Sequence, residues 1–366
     1  MSEPDRGPRI CDLHCDTGLL WQGGSSLEDT SLHVSLPHLR EAHVGLQVFA
    51  AFVPASLPAG KRYPFVSRLL EAIIAEIERH PADIVVCRNS LEVARAAGQG
   101  KIAALLAVEN GDAIEEDLGK LERLHGMGVR LMTLIHTRSN AWVSSSNDRN
   151  PRLDGLSPFG EEVVGAMNQL GMIIDVSHAH DRSVERVLAK SAAPVVASHS
   201  CMHALCPIPR NINDSLIRGI ASGGGVVGVN FQPSFLDCDF RKKAEQKGTE
   251  IFAALDRLTE EAGSDPAKLA GAWRSFTAGF TQAMASERLP LERLLQHIDH
   301  LVELVGEDHA AFGSDFDGIP DTPAGLDDCR GFANIVRGLR GHGYSRGRLE
   351  KICWTNFLRV LKAVCG

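Results

Sequence analysis

Seven residues of this chain carry groups that bind metals or move protons: His14, Asp16, Glu109, His136, His178, His199 and Asp315. The first two stand in Ile10-Cys11-Asp12-Leu13-His14-Cys15-Asp16-Thr17, whose apolar start reads as a short strand. Residues i and i+2 of a strand share a face, so His14 and Asp16 converge while Cys15 turns toward packing helices. The pair is a weak signal by itself. With 15 His and 46 acidic residues in 366, chance supplies such a spacing readily. A strand-end His beside a carboxylate is more often a hydrogen-bonded structural residue than a ligand.

The other five change the weighing, because each ends an otherwise apolar run. Residues 102–108 lead to Glu109, 129–135 to His136, 172–176 to Ser177-His178, 194–197 to Ser198-His199, and 310–313 to Ser314-Asp315. By parity Ala107/Glu109, Leu134/His136, Val176/His178, Ala197/His199 and Gly313/Asp315 each share a face, which aims all five inward with His14 and Asp16. Carboxylates and imidazoles crowded on one axis are costly without a cation. A metal cluster is the economical account. Imidazole and carboxylate without thiolate suit Zn²⁺, with Mn²⁺, Co²⁺ or Fe²⁺ as alternatives. His14, Asp16, Glu109, His178 and His199 are too many ligands for one tetrahedral zinc; they suit two ions sharing a carboxylate.

The elements that must position these residues follow from the same runs. Eight short apolar stretches, beginning with the one at 10–17 and with 46–53, alternate with helical patterns such as 65–79, 118–124, 160–170, 181–191 and 214–222. That alternation predicts α/β architecture, a (β/α)8 TIM barrel forming one domain over 1–366. An open doubly wound sheet is the structural alternative, weakened by the lack of a dinucleotide fingerprint after the first strand. The interval 233–309, between the seventh and eighth strands, is oversized and predicts two or three extra helices. Strand-to-helix loops of a barrel lie on its catalytic face, so this insertion is read as a partial lid or a dimer surface.

Bulk properties exclude other classes. Hydrophobic content of 44% and charged content of 23% are ordinary for a globular chain. A net charge of −8 offers no basic stripe for nucleic acid. Residues 1–8 are polar, without the apolar segment of a secretory signal. No apolar run approaches the roughly 20 residues of a membrane span. The nine cysteines are irregularly spaced, which predicts reduced thiols, mostly buried, in a cytoplasmic protein.

At these residues the chain resembles the membrane (renal) dipeptidases, zinc dipeptidases of peptidase family M19 among the amidohydrolase-like hydrolases. The likeness spans nearly the whole chain. It is carried by His14-Cys15-Asp16, Val108-Glu109-Asn110-Gly111, Thr133-Leu134-Ile135-His136, Ile174-Asp175-Val176-Ser177-His178, Ser198-His199-Ser200, Pro209-Arg210-Asn211, Val229-Asn230-Phe231 and Gly313-Ser314-Asp315-Phe316-Asp317-Gly318, with Asn356-Phe357-Leu358-Arg359-Val360 near the C-terminus.

The resemblance implies a dipeptide substrate, two Zn²⁺ per chain and a homodimer. It places His14 and Asp16 on one zinc, His178 and His199 on the other, and Glu109 between them. A hydroxide held by both ions would attack the scissile carbonyl, with His136 at the oxyanion and Asp315 as proton shuttle. Arg210 would receive the substrate carboxylate, and Asn230 belongs with His136 and Arg210 among the substrate-binding residues. Read without the resemblance, Arg210 is an ordinary surface or loop-capping arginine. Asn110 stands where the family often has Gly, and Gln232 where some members carry Tyr, so the pocket's shape is expected to differ more than its chemistry. Lactonases, deaminases and phosphotriesterases on the same barrel are the rival enzymes. They use His-x-His on the first strand and often a Lys ending the fourth, and neither stands here. A non-catalytic metal-binding protein would be betrayed by missing ligands, and none is missing.

Overall fold

Alternating burial on the long strands explains why the sheet closes. In the computed structural model, which describes residues 7–151 and 153–366, Leu46, Val48 and Ala50 of one strand and Ala103, Leu105 and Ala107 of another point into a single interior cluster. Their neighbours Phe49, Ala51, Ala104, Leu106 and Val108 pack outward with the helices. Of the polar start at 1–8, residues 1–6 lie outside the described residues.

The strands are β1 (Ile10–Cys15), β2 (Val44–Phe52), β3 (Ile84–Val86), β4 (Ile102–Glu109), β5 (Val129–Thr133), β6 (Ile173–Asp175), β7 (Val196–Ala197), β8 (Val226–Val229) and β9 (Ala310–Phe312). The order β2-β1-β9-β8-β7-β6-β5-β4 returns to β2 through parallel β2–β4 pairing, so eight strands close into a barrel. These eight are the eight apolar runs of the sequence. The ninth, β3, was not foreseen. It pairs with the start of β4, ahead of the segment that β5 takes up from Leu106.

Helices cover the outside. α1 (Thr17–Trp21) and α2 (Leu36–Glu41) follow β1, α3 (Arg62–Glu78) follows β2, and α4 (Ser90–Gly98) precedes β4. α5 (Leu118–Gly126), α6 (Pro158–Leu170), α7 (Asp181–Lys190) and α8 (Asp214–Ser222) are the crossovers after β4 to β7. Their starts are written in the sequence. Ser157 Oγ accepts the Gly160 N–H, with Pro158 in the first turn, and Asn213 Oδ1 accepts the Leu216 N–H.

Between β8 and β9 lie α9 (Pro233–Leu236), α10 (Cys238–Ala262), α11 (Pro266–Ala283) and α12 (Glu292–Val305). Not all of residues 233–309 is insertion. α12 packs on α8, β8 and β9 and is the barrel's own crossover, so the added structure is α9 and the α10–α11 hairpin. The chain ends with α13 (Phe332–Gly341), α14 (Arg346–Glu350) and α15 (Asn356–Cys365). Phe357, Val360 and Leu361 of α15 join the barrel's interior cluster. The Asn356 amide holds the carbonyls of Glu307 and Ala310 at the start of β9. The last helix therefore seals the end of the barrel opposite the site.

One expectation is corrected. Cys206 and Cys238 form a disulfide, so the nine cysteines are not all reduced thiols. The partners are 32 residues apart in sequence, with Cα atoms 5.4 Å apart. Only the folded chain brings the loop after β7 to the first residue of α10, so spacing could not reveal it. The other seven cysteines are free, and six of them are buried. Neither of the two closest pairs in sequence, Cys11 with Cys15 and Cys201 with Cys206, is joined. The disulfide withdraws the thiol argument on which a cytoplasmic location rested. Among the described residues no helix is long and apolar enough to cross a membrane.

Candidate metal centre and active site

The seven residues singled out in the sequence meet at the C-terminal mouth of the barrel. Glu109 is at their middle, and its two oxygens face opposite groups. Oε2 lies 3.7 Å from His14 Nε2, which is 3.4 Å from Asp16 Oδ2 and 3.9 Å from Asp315 Oδ1. Oε1 lies 3.2 Å from His178 Nε2 and 3.4 Å from His199 Nε2. His136 Nε2 is 3.8 Å from the same oxygen.

Strand parity accounts for only part of this convergence. Glu109 follows the alternation of β4, with Ala107 inside the barrel. Leu134, Val176 and Ala197 pack outward instead, so they do not share a face with His136, His178 and His199. Each of these histidines lies two or three residues past its strand end, where the backbone has left the pleat. His178 has φ +67° and Asp315 φ +63°, left-handed conformations that swing both side chains over the mouth. Asp16 is likewise off the strand. It caps α1, and its N–H donates to the Phe316 carbonyl, which ties the two ends of the site together. Gly318 is needed beside them, because a Cβ there would meet Asp16 Oδ2 at 2.0 Å and Asp315 Oδ1 at 2.6 Å.

The electrostatics fit a bound cation. Both ring nitrogens of His14, fully buried, and Asp16 Oδ1 have no hydrogen-bond partner, an expensive arrangement unless something else satisfies them. Burial and then the Glu109 charge push Asp16 up to about 7. Burial opposes a charged His14, yet Glu109 and Asp16 outweigh it and raise its pKa well above the usual range. Burial also holds His136, His178 and His199 below the usual range, which keeps them as the neutral imidazoles that metals bind. Two ligand atoms on a tetrahedral ion with bonds near 2.0 Å stand about 3.3 Å apart. The separations of Glu109 from His178 and His199, and of His14 from Asp16, are of that size. His14, Glu109 and His199, then Glu109, His136 and His178, then His14, Asp16 and Asp315 each form a compact set of metal-type donors.

Two buried carboxylates lie beneath these metal-type donors. Asp175 accepts from Ser198 N and Oγ, from Thr133 Oγ1 and from Ser177 N. Burial works against its charge, but His199 and these bonds hold its pKa below the usual range. Asp12 accepts from Gln47 Nε2 and from Ser314 N and Oγ, and burial pushes it up to about 6. The available signal was a carboxylate inside an apolar strand run, which has to be hydrogen-bonded to be tolerated.

Arg210 is buried in the loop between β7 and α8, which the disulfide fastens to α10. Its Nη1 donates to Ser200 Oγ at 3.0 Å and its Nη2 to the His199 carbonyl at 2.7 Å. Its guanidinium lies 5.3 Å from the Phe235 ring centroid, and its buried Nε has no partner. Asn230 is fully buried. Its Nδ2 donates to Asp315 Oδ2 at 2.9 Å, and its Oδ1 accepts the Gln232 N–H at 2.6 Å. A cavity of about 450 Å³ opens onto Asp16, Glu109, His136, His178, Arg210 and Asp315 and is covered by α10 and α11.

A parallel barrel with carboxylates and imidazoles gathered at its C-terminal mouth defines a metal-dependent hydrolase. Residues 7–365 match the membrane dipeptidase family, peptidase family M19, and the chain belongs to it. It is a metallo-dipeptidase that takes a divalent metal. A protein encoded in the pqqA 5′ region of Klebsiella pneumoniae is 30% identical over 80% of this chain and 94% of its own length. The dipeptidase verJ of Clonostachys rogersoniana is 28% identical over 91% of this chain and 76% of its own. Among solved structures, the M19 metallopeptidase called dipeptidase AC superimposes with a TM-score of 0.79 at 26% identity, covering 98% of this chain and 99% of that one. A metallopeptidase from Rhodobacter sphaeroides, liganded with a phosphinate mimic of the dipeptide L-Ala-D-Ala, gives the same TM-score and coverage at 25% identity.

Proposed function

We propose that the chain is a binuclear zinc dipeptidase, with His14 and Asp16 on one ion, His178 and His199 on the other, and Glu109 bridging. The observation that carries this reading is the division of Glu109, one oxygen toward His14 and the other toward His178 and His199. Two zinc ions, when bound, would supply an activated water and polarise the scissile carbonyl.

The protein's own groups do the rest. Asp315 takes the proton of the attacking water and passes it to the leaving amine, which must be protonated to depart. Asn230 holds Asp315 by one oxygen and leaves the other facing the His14 side of the centre. The His136 ring, against Phe52 and His178, faces the cavity where the carbonyl oxygen gains charge. The guanidinium of Arg210, with Nη1 and Nη2 anchored, lines the cavity as a fixed cation for a terminal carboxylate. A carboxylate held there limits the substrate to one residue beyond the scissile bond, as a dipeptidase requires.

The test is metal content together with turnover. The zinc-loaded protein is expected to hold two ions per chain and hydrolyse dipeptides much faster than their C-terminal amides. His199→Ala is expected to lower the content toward one ion and abolish turnover. Full turnover with both ions retained would refute the ligand assignment. The resemblance also carries a homodimer, which sedimentation measures directly.

A further inference from the structure

The cavity extends beyond the metal-type donors to the α10–α11 hairpin, whose wall is largely apolar. We infer that the preferred substrates are dipeptides with a bulky apolar side chain on their N-terminal residue. The inference rests on the dipeptidase reading above and names the substrate class of that same site.

The direction comes from the placement of Arg210. Its Nη2 is bonded to the carbonyl of His199, so a carboxylate held by its guanidinium sits on the His178–His199 side. A peptide bond lying over Glu109 then sends the N-terminal residue toward Asp16 and Asp317. The α10–α11 hairpin covers that side. The Trp273 indole N–H donates to the Asp317 carbonyl at 2.6 Å, and Arg274 donates to the Leu20 carbonyl at 3.2 Å, which pins α11 to α1 and the metal-site loop.

The hairpin presents Phe252, Leu255, Leu269, Trp273 and Phe276 to the cavity, facing Leu19 of α1. Its rings pack as one sheet-like cluster, with Phe252 to Phe276 at 5.4 Å and Trp273 to Phe276 at 5.0 Å between centroids. Phe252 is nevertheless 39% exposed, so a large ring is left partly bare at a cavity wall. The charged pair that α10 gives to the cavity lining, Arg241 and Glu245, lies at the other end of the helix beside α9, and the two neutralise each other at 2.8 Å. An apolar side chain entering between α1 and the hairpin displaces water from both surfaces. A charged one would lose its hydration against these apolar side chains, and the nearby Asp317 carboxylate is already taken up by the Thr17 hydroxyl and the His33 and Val34 N–H groups.

The experiment compares kcat/KM of the zinc-loaded wild type on L,L-dipeptides in two series. One varies the first residue over Gly, Ala, Leu, Phe, Asp and Lys before Ala; the other varies the second residue after Ala. Leu-Ala and Phe-Ala are expected to exceed Ala-Ala by at least about tenfold, the scale on which apolar pockets discriminate. Asp-Ala and Lys-Ala should fall below Ala-Ala, and the second series should vary less than the first. Leu255→Asp should cut the Phe-Ala to Ala-Ala ratio at least about fivefold. A flat first series, or a stronger preference in the second, overturns the inference while leaving the dipeptidase reading intact. No hydrolysis of any member overturns that reading, and the inference with it.

Discussion

Ser198 Oγ lies 2.7 Å from His199 Nδ1 and 2.6 Å from Asp175 Oδ2. The hydroxyl therefore accepts from the imidazole and donates to the carboxylate. This fixes the tautomer that leaves His199 Nε2 as a lone-pair donor toward the metal centre. Ser198→Ala and Asp175→Asn are each expected to weaken metal affinity about 10- to 100-fold while the chain stays folded. Competition with a chromogenic chelator measures this, and unchanged affinity in both variants would remove the relay.

Gly318 has no room for a side chain, since its Cβ would overlap Oδ2 of Asp16. Gly318→Ala should displace Asp16 and Asp315 together and lower kcat about a hundredfold, the cost of a misplacement near 1 Å. Steady-state kinetics paired with a thermal melt separates this local effect from unfolding.

Asp315 is held by Asn230, and the two should act on turnover and not on metal retention. Asp315→Asn is expected to keep its metal and lose at least about a hundredfold in kcat. Asn230→Ala should lose less, because the carboxylate survives but is no longer oriented. A kcat near wild type for Asp315→Asn would end the shuttle assignment.

Arg210 is expected to act through the substrate carboxylate. Arg210→Met should raise KM at least about tenfold for free dipeptides, since a buried hydrogen-bonded ion pair contributes over about 1.4 kcal/mol. Residual turnover of amidated dipeptides should be unaffected. An equal loss on both substrates would mean that Arg210 serves only the loop after β7.

His297 gives a pH dependence of stability. Buried on α12, it accepts the Met202 N–H at Nδ1, and its Nε2 lies 2.9 Å from the Leu236 carbonyl. Burial lowers its pKa from 6.5 to about 4. The unfolded chain therefore binds more protons between these values, so stability rises with pH through that window and is lost as pH falls from about 6.5 toward 4. The loss amounts to about 3 kcal/mol when complete. Urea midpoints at pH 7 and pH 5 should show the decline in the wild type and a smaller one in His297→Gln, whose amide can hold the same two partners.

The sequence by itself determined the barrel and the membership of the site. Eight apolar runs carry the alternation that closes β1, β2 and β4 to β9, and the polar residues at or near the ends of six of them are His14, Asp16, Glu109, His136, His178, His199 and Asp315. Period-two burial and strand-end chemistry are local properties, and local properties are legible in one dimension. How these side chains reach the centre was decided only by the tertiary structure. His178 and Asp315 arrive through left-handed backbone, and His136 and His199 arrive from beyond their strands, where parity has no force. The same holds for the polar groups under the ligands, for the Cys206–Cys238 link and for α11 lying over Asp317. Each joins residues far apart in sequence, and such contacts follow from how the helices pack around the closed sheet, which no local pattern encodes.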